Sequence, residues 1–261
     1  MKDLLLAVTS IPDNKIVAFN KLDAALKTKL DAERFRNEMA LIDTGNEPTL
    51  YGPYGVAYIF GSKSQIINAL LSVKPLFSIF YFLYRVLAYN RYIVAVPKNY
   101  FQCDCYPDNI AKYRISYVII TIFTSVVLTF LFGISLKDFF PGMSYEKAAI
   151  EMLLIAGSGW VLQIILSLVL LKNNALEYIG HLGSIMVVGL LILVPSILFR
   201  TFTGLSIIYL PALSAICSSG FMLYMHIGRI KFLQLSQWWN FSWFVFLQIT
   251  AVFWVYYFHI R

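Results

Sequence analysis

The sequence predicts an N-terminal α/β domain followed by an all-α transmembrane bundle of about five helices. Three observations lead to this fold class. First, 59% of the 261 residues are hydrophobic and only 13% are charged, which is far from the average of soluble proteins. Second, most of the acidic residues precede Lys112. Third, the remainder of the chain consists of long apolar runs separated by short polar loops. We therefore expect a domain at 1–97, a linker at 98–114 and a bundle at 115–261.

The bundle prediction depends on the length of the apolar runs. A hydrocarbon core about 30 Å thick requires roughly 20 apolar residues in a helix. The runs that meet this length are 115–136, 148–171, 179–199, 205–227 and 239–258. Trp238, Trp239, Tyr256 and Tyr257 bracket the last run, as aromatic side chains do at the two membrane interfaces. These five runs are the predicted spans.

A further apolar stretch, Pro75 to Tyr84, is too short to span. It lies between Lys74 and Arg85, and as a helix it would cover only about 15 Å. We expect a buried or interfacial helix there.

The basic residues near the span ends predict the orientation. With the N-terminus in the cytoplasm, that side would carry Arg85, Arg91, Lys98, Lys112, Arg114, Lys172, Arg229 and Lys231. The opposite side would carry Lys137, Lys147, Arg200 and Arg261. Because basic residues favour the cytoplasmic side, we expect a cytoplasmic N-terminal domain and an external C-terminus. We also expect an integral protein, placed in a bacterial inner membrane, and the N-terminal residues give no secretory signal.

Polar side chains inside predicted spans are candidates for function because their desolvation is costly. They are Glu151, Gln163, the i, i+4 pair Glu177 and His181, and His226. Glu151 is expected near the external face and the two histidines near the cytoplasmic face, which argues against one proton relay. Haem ligation by His181 and His226 is an alternative to plain interfacial histidines; the interfacial interpretation is favoured, and no cofactor or metal is predicted.

Other function classes are poorly supported. The net charge of +7 comes without a dense basic run or an aromatic-basic RNA motif, so no nucleic-acid partner is expected. The three cysteines are too few for a disulfide scaffold, and Cys217 lies in an apolar run as packing. Gly157, Gly159, Gly180 and Gly183 are interpreted as positions of close helix packing.

The N-terminal part has an α/β element order. The run 15–20 (KIVAFN) is strand-like, and 22–38 has the spacing of an exposed amphipathic helix. The runs 39–43 and 49–51, separated by Thr44-Gly45-Asn46-Glu47-Pro48, indicate a hairpin. From Tyr54 the chain is predicted to be helical, with Pro75 in a first turn and Asn90 near a helix end.

Short motifs run through this part and into the first span. They are Asn37-Glu38-Met39-Ala40-Leu41-Ile42-Asp43, Tyr51-Gly52, Lys74-Pro75-Leu76-Phe77, Leu83-Tyr84-Arg85, Ala88-Tyr89-Asn90-Arg91-Tyr92, Cys105-Tyr106-Pro107-Asp108 and Lys112-Tyr113-Arg114. Together they resemble the DCC family of predicted thiol-disulfide oxidoreductases. The resemblance covers about Lys15 to Arg114, and it implies a thioredoxin-like fold, of which β-α-β-β-α is the C-terminal two-thirds.

The sequence departs from that family at its redox motif. The family takes its activity from an N-terminal Asp-x-x-Cys-x-x-Cys, where a helix N-terminus lowers the thiolate pKa, and no cysteine precedes Cys103 here. Either the native chain begins further upstream, or the protein is a redox-dead descendant. A thioredoxin-like fold that lacks its first strand would leave one edge of its sheet unpaired, which favours the longer chain. Cys103 and Cys105 are weak catalytic candidates, as a strained Cys-x-Cys disulfide or half of a zinc site.

These features lead to two functional hypotheses. The first is a membrane-anchored DCC-like protein, thioredoxin-like but inactive as given because the Cys-x-x-Cys is absent. The second is a non-enzymatic subunit or scaffold of a membrane complex, with other membrane proteins as partners besides the lipid bilayer. A small transporter is a third and weaker interpretation, because no inverted repeat is visible.

Overall fold

The computed structural model describes residues 17, 22–42, 48–96, 106–137, 142–203 and 209–259. The contacts divide the chain into two compact units. Unit 1 comprises Met1–Tyr92 and Pro97–Tyr113, and unit 2 comprises Ile93–Val96 and Arg114–Arg261. The segment Ile93–Val96 thus belongs to the second unit, although the residues on both sides of it in the sequence belong to the first.

Unit 1 is mostly helical and contains a small sheet. Its elements, in chain order, are α1 (Ala24–Lys27), α2 (Ala32–Asn37), β1 (Ala40–Leu41), β2 (Leu50–Tyr51), α3 (Pro53–Lys63), α4 (Gln65–Ser72), α5 (Lys74–Tyr89) and the start of α6 (Arg91–Val94). Within the described residues the sheet has two strands. The strand expected at 15–20 lies outside the described residues apart from Val17. A thioredoxin-like arrangement therefore stays a prediction.

The helix expected over 22–38 is interrupted, and α1 and α2 take its place. The side chain of Asp31 accepts hydrogen bonds from the backbone N–H groups of Glu33 at 3.0 Å and Arg34 at 3.2 Å, which caps a new helix. The backbone N–H of Asp31 donates to the Tyr51 hydroxyl at 2.7 Å. A contact with a residue twenty positions away thus ends one helix and starts the next.

The predicted hairpin and the predicted helix positions of Pro75 and Asn90 are confirmed. Strands β1 and β2 pair antiparallel, with Ala40 opposite Tyr51 and Leu41 opposite Leu50. Pro75 lies in the first turn of α5 and Asn90 is its C-cap residue. Proline is suited to a first turn because its missing N–H would have no partner there.

Unit 2 is mostly helical over the residues that the structure describes. Its helices are α7 (Ala111–Leu136), α8 (Tyr145–Leu170), a 3-10 turn (Lys172–Asn174), α9 (Ala175–Leu191), α10 (Val194–Thr203), α11 (Tyr209–Phe232) and α12 (Trp238–His259). The residues of α7 that precede Arg114 belong to unit 1.

Within the described ranges, five helical stretches are long and apolar enough to cross a membrane, as the sequence predicts: Ala111–Leu136, Tyr145–Leu170, Lys172–Thr203, Tyr209–Phe232 and Trp238–Phe258. Such a composition fits an integral membrane protein in a lipid bilayer. The third stretch is longer than expected and is broken after Leu191. Pro195 explains the break, because a proline nitrogen cannot donate to the carbonyl four residues earlier.

The main core of unit 2 is rich in aromatic side chains. Its buried members are Trp160, Tyr178, Leu182, Ile185, Ile230, Trp239 and Trp243. The rings of Trp160 and Trp243 meet edge to face, with their centroids 5.6 Å apart, an arrangement that aromatic pairs prefer. This core encloses the polar side chains described below.

Candidate functional site

A polar cleft is the candidate site of unit 1. It has a volume of about 630 Å³ and is lined by Glu33, Arg34, Arg36, Asn37, Glu38, Arg85, Tyr89 and Asp108. These residues come from α2, from α5 and from the segment just before α7. We call it the Glu38 cleft, after its most buried carboxylate.

Asn37 and Asp108 form a reciprocal pair at one edge of the cleft. The Asn37 Nδ2 donates to Oδ2 of Asp108 at 2.7 Å, and the backbone N–H of Asp108 donates to Oδ1 of Asn37 at 2.9 Å. The Arg36 guanidinium lies 3.5 Å from the other carboxylate oxygen. Two hydrogen bonds and an ion pair thus tie the segment before α7 to the end of α2.

Glu38 is the buried anion of the cleft, with only 5% of its surface exposed. Its Oε1 accepts from Arg85 Nε at 3.2 Å and lies 3.0 Å from Arg85 NH2. Arg85 also donates to the hydroxyl of Tyr113 at 3.2 Å. A buried carboxylate needs such a partner, because an unpaired charge would be strongly destabilising.

Gly52 and Tyr84 complete the surroundings of Glu38. A Cβ atom at Gly52 would lie 2.5 Å from Glu38 Oε2, and φ at Gly52 is +57°, so a side chain at this position would be both strained and obstructed. Burial raises the pKa of the Tyr84 phenol, which stays neutral and accepts a hydrogen bond from the Met39 backbone N–H at 3.1 Å. The chain therefore closes tightly around this carboxylate.

The chemistry open to the cleft is recognition of a polar group. Three guanidinium groups and three carboxylates line it, and Glu38 and Asp108 already have charged partners. A general base needs a free lone pair within reach of its substrate. Among the described residues, no group of three or more His, Cys, Asp or Glu side chains is arranged to hold a metal.

Unit 2 contains a second buried polar cluster, a chain of side chains that we call the Tyr178 network. Ser242 Oγ donates to Oε1 of Gln163 at 3.3 Å, and Gln163 Nε2 donates to the Tyr178 hydroxyl at 2.7 Å. The hydroxyl lies 3.0 Å from Nε2 of His226, and the other ring nitrogen of His226 lies 2.7 Å from Oδ1 of Asn240. An Nδ1–H tautomer of His226 gives every bond of this chain one donor and one acceptor.

A buried arginine lies one helical turn away on α11. Arg229 is 4% exposed, and its NH1 donates to the backbone carbonyl of Ile93 and lies 2.7 Å from Nδ1 of His181. Its NH2 donates to the carbonyl of Val94 at 3.3 Å. The Ser184 hydroxyl adds a bond to the Ile93 carbonyl at 2.9 Å. Arg229 thus fixes the segment Ile93–Val96 within unit 2.

The polar residues predicted inside the spans fall into separate places. Gln163 and His226 join the Tyr178 network, whereas His181 contacts Arg229 and its Nε2 has no hydrogen-bond partner among the described residues. Glu151 lies on α8, 3.8 Å from Lys147, whereas the two histidines lie on α9 and α11. That these groups do not form one relay stays a prediction.

The remaining candidates are the three cysteines and the proposed haem ligand His226. Cys103 and Cys105 lie outside the described residues, so neither the disulfide nor the zinc hypothesis is tested. Cys217 is free and exposed on α11. Both ring nitrogens of His226 are within hydrogen-bond distance of a neighbour, so this ring offers no lone pair to a haem iron.

Sequence reasoning missed the roles of Tyr178, Arg229 and Asn240. A signal was present in the spacing: Tyr178 and His181 are three residues apart on α9, and His226 and Arg229 are three apart on α11. Residues at this spacing share one helix face, so two facing pairs of polar residues were available. Asn240 follows the pair Trp238 and Trp239, and no spacing pattern in the sequence indicated its contact with His226.

The comparisons with known proteins give no match. No family model matches the chain, and neither a curated protein nor a solved structure matches it. The function must therefore be argued from the residues and their contacts.

Proposed function

We propose that the chain is a membrane-anchored protein of the DCC type, thioredoxin-like in its first domain and inactive in disulfide exchange as its sequence stands. The observation that carries this proposal is the convergence of the resemblance motifs on the Glu38 cleft. Asn37 contacts Asp108, 71 positions away, and Glu38 contacts Arg85, 47 positions away. Met39 contacts Tyr84.

Convergence supports the resemblance for a physical reason. Motifs that matched by chance would have no cause to meet in space. Here the first motif contributes Asn37 and Glu38, and the partner of each belongs to another motif. Arg91, of a further motif, donates from its Nη2 to the backbone carbonyl of Arg36 at 2.9 Å, next to the first motif in the sequence. The motif residues therefore support one another as a polar core.

The inactivity part of the proposal is based on the cysteines. A disulfide needs two Cα atoms about 4.4–6.8 Å apart. Cys217 is the one cysteine within the described residues, and it is exposed on a predicted membrane helix. Cys103 and Cys105 follow the cleft helices in the sequence and are not placed at a strand-to-helix turn of the order predicted above.

Reduction of insulin disulfides by the purified full chain tests this proposal. We expect no activity above the dithiol background, either for the wild type or for a C103S/C105S double variant. Activity in the wild type that disappears in the double variant would refute the inactive form and assign the chemistry to Cys103 and Cys105. The single variant Cys217→Ser serves as the matched control.

The alternative is a non-enzymatic subunit of a membrane complex. The pairing of the cleft charges favours it, because Glu38 and Asp108 are engaged by arginines and are suited to binding or architecture. Native electrophoresis of mild detergent extracts tests this alternative. A fixed higher-mass band, shifted to the mass of the free chain by Asp108→Ala, would support it.

We also propose a cytoplasmic N-terminal domain and an external C-terminus, on the distribution of basic residues. Labelling of Cys103 and Cys105 with an impermeant thiol reagent tests it. We expect labelling in lysed cells only, and labelling in intact cells would reverse the orientation.

A further inference from the structure

Helices α4 and α5 of unit 1 have an exposed apolar face. Ile66 is 74% exposed, Leu70 51% and Ile79 58%. The face, which we call the α4–α5 face, consists of Ile66, Leu70, Leu76, Ile79, Leu83 and Leu87. None of the residues of α4 is buried. A water-exposed surface of this kind is uncommon in a soluble domain and marks a contact site.

The two helices turn different side chains toward the unit and away from it. Asn68, on the polar side of α4, faces α3, because a Cβ at Gly61 would lie 3.0 Å from Asn68 Oδ1. On α5 the inward side carries Arg85, which reaches Glu38, and Phe77, whose ring centroid is 5.2 Å from that of Tyr54. The six apolar residues of the α4–α5 face point away from the unit, as they do in helices that lie on a membrane, whereas Val86, Ala88 and Tyr89 of α5 are buried within it.

Both ends of the helix pair return to the same unit. Helices α4 and α5 are bent by 96° at their junction, and their lengths of 8 and 16 residues correspond to about 12 and 24 Å. Neither reaches the roughly 30 Å of a hydrocarbon core. Together the two helices are apolar enough for a broken span or a re-entrant loop. Both belong to unit 1 along their whole length, and the bend sets them at nearly a right angle instead of along one line.

The charged residues in the sequence from α3 to the segment after α6 are all basic. No acidic residue lies between Glu47 and Asp104, whereas Lys63, Lys74, Arg85, Arg91 and Lys98 lie in that interval. Lys63 and Lys74 bracket the uncharged helix α4 in the sequence. Basic residues beside an apolar face favour a surface of anionic lipid headgroups, which repel carboxylates.

We propose that the α4–α5 face lies in the headgroup region of an anionic leaflet of the membrane that the bundle spans. Its apolar side chains enter the boundary of the acyl chains, and Lys74, in the first turn of α5, contacts lipid phosphates. The face thereby holds unit 1 at the bilayer surface. This inference is independent of the DCC resemblance, because it uses only exposure, packing and charge.

Spin-label accessibility in nanodiscs tests the proposal with the full chain. In a C103S/C105S/C217S background, single cysteines replace Ile79, Glu33 and Phe123. Glu33 is an exposed position on the polar side of unit 1, and Phe123 is 69% exposed on a predicted span. Nanodiscs of phosphatidylcholine alone are compared with nanodiscs that also contain phosphatidylglycerol. Collisions of each label with oxygen and with a water-soluble nickel chelate are measured.

We expect the label at position 79 to collide often with oxygen and rarely with nickel, at a depth between the two reference labels. Immersion should be deeper with phosphatidylglycerol, and Lys74→Gln should weaken this preference by about fivefold, as expected for one lysine at an anionic surface. Nickel access equal to that of the Glu33 position would overturn the proposal. Protection from both reagents would overturn it as well, because a second copy or a protein partner would then cover the face. Equal immersion in both lipids would overturn the assignment to anionic headgroups.

Discussion

The contact between α8 and α12 permits a sharp test of the bundle, because two glycines on α8 differ in what surrounds them. A Cβ added at Gly159 would lie 2.8 Å from Leu247 Cδ2 and 2.9 Å from Leu247 Cα. A Cβ added at Gly157 would meet nothing within 4 Å. Helix pairs in membranes use such small residues to bring their backbones close together. Gly159 is therefore a packing position and Gly157 is not.

The expected effects follow from these distances. Alanine in a helix gains up to about 1 kcal/mol over glycine, so Gly157→Ala should be neutral or slightly stabilising. At Gly159 the same gain is opposed by a contact with backbone, which the partner helix relieves only by moving away. Overpacking of this kind costs about 1–3 kcal/mol, and we expect Gly159→Ala to lower the free energy of unfolding by about 1–2 kcal/mol. Leucine at the two positions should widen the difference.

Unfolding in mixed micelles with increasing SDS measures these values. The tryptophan fluorescence reports on the same interface, because Trp160 and Trp243 pack together beside it. Equal midpoints for Gly157→Leu and Gly159→Leu would refute the close approach of α8 and α12. A destabilisation by Gly157→Ala alone would contradict the reasoning about which face of α8 is packed.

Three further substitutions test the polar contacts. Arg229→Gln should destabilise the protein by about 2–4 kcal/mol, because it removes a charged donor from the buried Ile93 carbonyl. Thermal aggregation in detergent measures this loss. Lys231→Gln is the control, because Lys231 is exposed and its substitution should have no effect. Tyr178→Phe should cost about 1–2 kcal/mol through two lost hydrogen bonds, and an unchanged SDS midpoint would argue against the network. Asp108→Ala should raise amide hydrogen exchange near the end of α2, and unchanged exchange would show that its contact there is weak.

Much of the architecture follows from composition and periodicity. The five membrane stretches were predictable because the length of an apolar run is a property of the chain itself. The hairpin of β1 and β2 and the positions of Pro75 and Asn90 were predictable for a similar reason, since turn and cap preferences are local. The break between α1 and α2 was not, because Asp31 is held by Tyr51, a contact that no local pattern encodes.

The polar contacts belong to tertiary structure. The sequence marked His181 and His226 as candidates and favoured interfacial positions for them, but the structure buries both. Their partners Arg229, Tyr178 and Asn240 lie on other helices. Which helix faces meet depends on the packing of backbones at glycines such as Gly159, and composition does not specify it. The sequence alone shows that α4 and α5 are rich in apolar residues. That this character points outward, with Asn68 and Arg85 turned toward the unit, is decided only by the folded chain, because the direction of a side chain depends on what its neighbours leave open.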